Sequence, residues 1–79
     1  MRALTKHPKP ISTLAARCGK MLFTMRRDRG WSQRKVANKA RLSLAFLCDV
    51  ENGKRRIGAE KLYRIARVFG VSMDEFFKR

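Results

Sequence analysis

The stretch from Ser32 to Asn52, SQRKVANKARLSLAFLCDVEN, decides how this chain folds. Ser32 is a good N-cap residue, and beyond it Val36, Ala37 and Ala40 fall at the i, i+1, i+4 spacing of a buried helical stripe. A helix is therefore predicted from Ser32 to about Ala40. Ser43 is a second N-cap, and the helix it opens, 43–52, turns Leu47 and Val50 inward with Leu42 just ahead of the cap. About three residues lie between the two. Helices this short, joined this tightly, must cross steeply, and that helix-turn-helix geometry presents the second helix to a DNA major groove.

On the N-terminal side, Ser12 caps a longer helix predicted to run to about Arg29, with Leu14, Cys18, Leu22 and Met25 inward and Met21 beside them. Gly30 is its expected left-handed end. Gly19, inside it, costs about 1 kcal/mol relative to alanine and marks a close approach by another helix. Trp31 suits a packed helix junction. Residues 1–11, MRALTKHPKPI, hold both prolines and three basic residues without apolar periodicity. They read as a loose basic arm that either reaches a neighbouring groove, tracks phosphates or does neither.

On the C-terminal side, Gly53 closes the second helix and Lys54, Arg55 and Arg56 follow at once. Ala59 to Phe69 is the fourth helix, with Leu62, Ile65, Ala66 and Phe69 inward, and Gly70 ends it. Ser72-Met73-Asp74-Glu75 has the form of a capping box for a last short helix carrying Phe76 and Phe77. The expected fold is all-α, a compact five-helix bundle over 12–79 built round the helix-turn-helix.

The chain has 79 residues, enough for one small domain whose core is marginal alone, so self-association is a natural remedy. Twenty Lys and Arg against six Asp and Glu leave a formal charge of +14, divided as +7 over 1–30, +5 over 31–58 and +2 over 59–79. Such an excess calls for a polyanion, and nucleic acid converts it into affinity through counterion release. A membrane surface fits less well, because no basic segment is paired with a free apolar face. RNA ranks below duplex DNA, since neither an aromatic-bearing sheet nor a GXXG loop is present.

Cys18 and Cys48 have no metal-ligand spacing, and the single histidine, His7, sits in the arm, so no metal or cofactor is expected. Free thiols suit a reducing cytoplasm, although Cys48 also admits a redox-sensing role. No apolar run approaches the ~18 residues of a membrane span, and the start lacks a signal peptide's apolar core. The protein is expected in the cytoplasm, on the nucleoid. No catalytic constellation, phosphate-cradling glycine loop or small-molecule site is evident, so an enzyme is not expected.

Trp31-Ser32-Gln33, Val36-Ala37, Ala40, Leu42-Ser43, Leu47, Val50-Glu51-Asn52-Gly53-Lys54, Leu62, Ile65-Ala66, Gly70-Val71-Ser72 and Asp74-Glu75 together resemble the lambdoid phage repressor and Cro family, also called XRE. The likeness covers roughly Gly19 to Phe77. It implies an ion pair between Arg26 and Glu51 and a DNA-backbone hydrogen bond from Gln33. By position, Leu44, Ala45 and Asp49 would meet base edges, Ser43 and Asn52 would meet phosphates, and Phe46 would pack on the domain or touch the groove edge. Leu44 and Ala45 suit thymine methyls and Asp49 a cytosine amine; lacking bidentate purine-binding side chains, the surface leaves room for readout of DNA shape.

Two departures carry information. The first turn of the helix after Ser32 holds Gln33, Arg34 and Lys35 where a carboxylate would suit the helix dipole, which makes sense if a phosphate takes that place; a solvated basic face is the alternative for Arg34 and Lys35. Arg41 stands where the family commonly has glycine, so the turn either rearranges or accepts strain, with Arg41 reaching a phosphate. Arg34, Arg41, Lys54, Arg55 and Arg56 complete the expected backbone contacts. The family's dimer contact implies a twofold interface among Val71, Met73, Phe76 and Phe77, with one of the two rings kept in the core. The expected function is a homodimeric repressor on double-stranded DNA. A restriction-modification controller, a DNA-binding antitoxin, or a protein-interaction module using Leu44, Ala45 and Phe46 stay open.

Overall fold

Caps divide the chain as the punctuation of the sequence suggests. In the computed structural model, which describes residues 13–77, the helices are α1 (Thr13–Asp28), α2 (Gln33–Ala40), α3 (Leu44–Glu51) and α4 (Ala59–Phe69). The expected arm 1–11 and the Ser12 cap lie outside the described residues. Gly30, at φ 69°, ends α1, and the Trp31 amide returns 3.1 Å to the Arg26 carbonyl. Ser32 Oγ then accepts the Lys35 amide at 3.0 Å to start α2, and Ser43 Oγ accepts the Phe46 amide at 3.0 Å to start α3.

The connection between α2 and α3 accepts strain. Arg41 lies at φ 60°, ψ 46°, the conformation a glycine would adopt freely, and the Leu42 amide reaches back 2.8 Å to the Ala37 carbonyl. A left-handed conformation costs a side-chain-bearing residue about 1–2 kcal/mol. The tight turn keeps its geometry with arginine in the glycine position.

The core is assembled from one face of every helix. Cys18 and Leu22 come from α1, Val36, Ala37 and Ala40 from α2, Leu47 and Val50 from α3, and Leu62, Ile65, Ala66 and Phe69 from α4. Burial pushes the Cys18 thiol up from its ordinary range and keeps it neutral. α2 packs against both α3 and α4, while α1 packs against α3 and the C-terminal segment. Gly19 explains the intimacy of α1 and α3: a Cβ there would overlap the Val50 carbonyl oxygen. Trp31 stacks on Phe69 at 5.1 Å between ring centroids, and Phe69 meets Phe76 edge-on at 6.4 Å.

Two expectations are corrected. The last helix is a five-residue 3₁₀ helix, Met73–Phe77, so the described residues form four α-helices and a 3₁₀ segment instead of five helices. The Glu75 amide bonds the Ser72 carbonyl at 3.1 Å, the three-residue step of that tighter helix, whose poorer geometry suits short runs. Of the two terminal rings, Phe76 is fully buried and Phe77 is exposed, so the ring kept in the core is that of Phe76. Leu14, expected inward, is 51% exposed. It extends the stripe of Cys18 and Leu22 one turn toward the start of α1, beyond the buried part of that face.

Candidate nucleic-acid interface

The side-chain hydrogen bonds that fix α3 to its neighbours converge on its C-terminal end. Glu51, with 2% of its side chain exposed, accepts Arg26 Nε at 2.7 Å on one oxygen and Arg26 Nη2 at 2.9 Å on the other. Gln33 Nε2 adds a third bond at 3.0 Å. The remaining reach of the guanidinium goes to the Trp31 carbonyl, 2.9 Å from Nη1. The hydrogen bond to Glu51 raises the Arg26 pKa above its ordinary value, burial opposing and charge attraction assisting. One carboxylate thus ties α1, α2 and α3 together. Fork-shaped pairing of this kind fixes direction as well as distance.

Gln33 was expected only to meet the DNA backbone. It lies half-buried, and its Oε1 also accepts the Cys48 thiol at 3.0 Å. One Nε2 hydrogen stays available after the bond to Glu51. No spacing rule in the sequence announces the pairing of Cys48 with Gln33, which are fifteen positions apart and meet only because α2 crosses α3.

The outward side of α3 is open. Ala45 and Asn52 are exposed, Asp49 is half-exposed, and Leu44 is half-buried at the start of the helix behind the Ser43 cap. Phe46 packs on the core, partly buried, with Arg55 and Lys61 each 5.4 Å from its ring centre. Gly53, at φ 74°, turns the chain back so that the Lys54 amide bonds the Asp49 carbonyl at 2.8 Å. Lys54, Arg55 and Arg56 are all exposed in the loop that follows. Arg55 Nε stands 4.0 Å from Asp49, with both side chains about half exposed, a spacing that contributes little to stability. Arg34 is exposed in the first turn of α2, which contains no acidic residue.

Among the described residues no group of three potential metal ligands occurs, and no helix is long and apolar enough to cross a membrane. The base-edge, backbone and interface candidates thus fall on distinct parts of the surface: α3's outward side, the cation-bearing ends of α2 and the loop after α3, and the C-terminal segment.

This architecture defines a helix-turn-helix domain. The helix-turn-helix family model HTH_3 matches residues 22–76, and the chain belongs to that family, the XRE type of helix-turn-helix domain. The HTH-type transcriptional regulator PuuR of Escherichia coli (strain K12) is 32% identical over 59 residues, covering 75% of this chain and 32% of its own length. The chain therefore spans about a third of that relative. Among solved structures, the clp gene regulator ClgR from Corynebacterium glutamicum superposes with a TM-score of 0.77 at 28% identity, over 87% of this chain and 71% of its own. The restriction-modification controller protein C.AhdI from Aeromonas hydrophila also reaches 0.77, at 24% identity, over 80% of this chain and 96% of its own, and shows the likeness of fold.

Proposed function

We propose that the protein is a homodimeric repressor that inserts α3 in the major groove of duplex DNA and occludes a promoter. The observation that carries this is the contrast within α3: Leu47, Val50 and Glu51 are held in the domain, while Ala45, Asp49 and Asn52 lie on the open side, where among the described residues the one side-chain approach is that of Arg55 to Asp49 at 4.0 Å. Leu44, Ala45 and Asp49 take the base edges. Ser43, Asn52, Gln33, Arg34, Arg41, Lys54, Arg55 and Arg56 take the phosphates on either side, and Arg55 leaves Asp49 for the backbone when a cytosine amine replaces it.

For the twofold contact, the exposed apolar residues supply the basis. Phe77 is 38% exposed and shares an open hollow of about 230 Å³ with Leu14 and Ile57. Arg56 stands at the edge of this hollow, and a second copy covering it would extend the expected interface of Val71, Met73 and Phe77 to Leu14.

Selection of bound duplexes from a random pool at about 150 mM salt, where phosphate attraction is already screened, tests the assignment. An inverted repeat with half-sites about one helical turn apart is expected. Replacing Leu44 and Asp49 together by alanine should erase discrimination at the contacted positions, each such contact being worth about 1–3 kcal/mol. Recovery of no motif, or a variant that selects the same repeat, would overturn it.

A further inference from the structure

A second cationic surface lies on the side of α2 that faces α4. Lys39 and Arg41 from the end of α2 and Arg64 and Arg67 from α4 line one open hollow of about 480 Å³ with Val68 beside them. Among the described residues no carboxylate lines it. Arg64 is drawn inward, with Nη1 3.4 Å from both the Ala40 and Arg41 carbonyls, long contacts to the negative end of α2. Its Nε is buried without a hydrogen-bond partner. Arg41 is the residue held in the left-handed conformation.

Converging like charges, a strained arginine and an unsatisfied guanidinium nitrogen work against stability here, offset only in part by the long Arg64 contacts to the end of α2 and by Arg67 Nη1 donating to the Tyr63 hydroxyl at 3.3 Å. Local departures from good folding practice of this kind concentrate where a ligand is awaited. Four guanidinium and ammonium groups suit phosphates, which planar arginine forks grip in pairs. The hollow is also continuous with the proposed reading surface. Arg41 is two residues from Ser43, the cap of α3, so their Cα atoms lie within about 8 Å, a span of roughly two phosphates along one strand.

We infer that Lys39, Arg64 and Arg67 continue the path begun by Ser43 and Arg41 and bind the phosphate backbone of the same duplex outside the half-site that α3 reads. The inference rests on the DNA-binding assignment above. It gives the protein a footprint longer than its base contacts, with sequence-independent affinity added at the outer end. An acidic protein segment is the other occupant with suitable charge, and the arms of the test below separate it.

The test uses two duplexes carrying the selected site, one trimmed to about 2 base pairs of flank and one with about 12 random base pairs on each side, titrated from about 100 to 200 mM salt. For the unaltered protein the salt dependence should be steeper on the long duplex, by nearly one unit for each flanking phosphate engaged. Lys39→Ala with Arg67→Ala, both at exposed positions, should leave the trimmed duplex unaffected and flatten the long-duplex slope by about 1.8 units, a relative effect of about 3.5-fold across that salt range. Arg64→Lys, which keeps the charge while removing the fork, should lose affinity on the long duplex alone. Equal slopes on both duplexes overturn the inference, as they would if the hollow served an acidic protein segment, and so does a double variant that weakens both duplexes alike. Failure of the unaltered protein to prefer the trimmed site over random DNA overturns the regulator assignment and this inference with it.

Discussion

The two ends of α2 are built on opposite terms. At its start, Ser32 caps the backbone and Gln33 joins Arg26 and Glu51 in a network whose charged groups are matched and nearly dry. At its end, Arg41 is strained, Arg64 holds a buried nitrogen without a partner, and Lys39 and Arg67, the latter bonded to the Tyr63 hydroxyl, line the same hollow with no carboxylate among its described lining residues. The first end uses charge to fix one helix against two others. The second leaves charge without a carboxylate in its lining, which works against the free domain and suits the phosphate contact proposed above. Position and pairing, more than the number of cations, distinguish structural arginine from ligand-binding arginine in this +14 chain.

The largest effect should come from breaking the first end. Glu51→Ala leaves Arg26 charged, 9% exposed and unpaired, and is expected to cost about 3–5 kcal/mol, measured as a fall in the urea midpoint. Replacing both partners by apolar residues, Arg26→Met with Glu51→Leu, should recover most of that loss, because the penalty belongs to the orphaned charge. A double variant as unstable as the single one would show that the network contributes through more than pairing. Next in size is Ser32→Ala, which removes the α2 cap and should cost about 1 kcal/mol in the same assay. The smallest effect has the opposite sign. Arg41→Gly relieves the left-handed strain while adding freedom to the unfolded chain, for a net gain of about 0.5 kcal/mol, and should reduce the salt dependence of DNA binding by nearly one unit. If that variant were less stable than the parent, the second end would be a structural feature and the contrast would fail.

Much of the fold was legible because it is locally encoded. Ser32, Ser43, Gly30, Gly53 and Gly70 act within a turn of themselves, and the inward stripes of α2, α3 and α4 follow from helical periodicity alone. Leu14 was misjudged because periodicity places a residue on a stripe without saying how far the neighbouring elements extend over it. Choosing between Phe76 and Phe77, and between an α-helix and a 3₁₀ helix, needed the position of Phe69 and Trp31 across the core. The partnership of Arg26 with Glu51 was implied only by family resemblance, since nothing in a separation of 25 residues suggests it. Cys48 with Gln33, and Arg64 with the end of α2, had no such signal. Both arise from helix crossings and are visible only once α2 lies across its neighbours.

The seating of α3 on Gly19 has a consequence for how such a protein can change over time. Backbone rests against backbone where α1 meets the Val50 carbonyl, so the pose of α3 depends little on which side chains it displays outward. On the proposed base-edge assignment, Ala45 and Asp49 can then be exchanged like type in a fixed bed, altering the text without shifting the line. A lineage that keeps Gly19 keeps its alignment and is free to drift toward new binding sequences in single steps, whereas any side chain at that one position would disturb every letter at once.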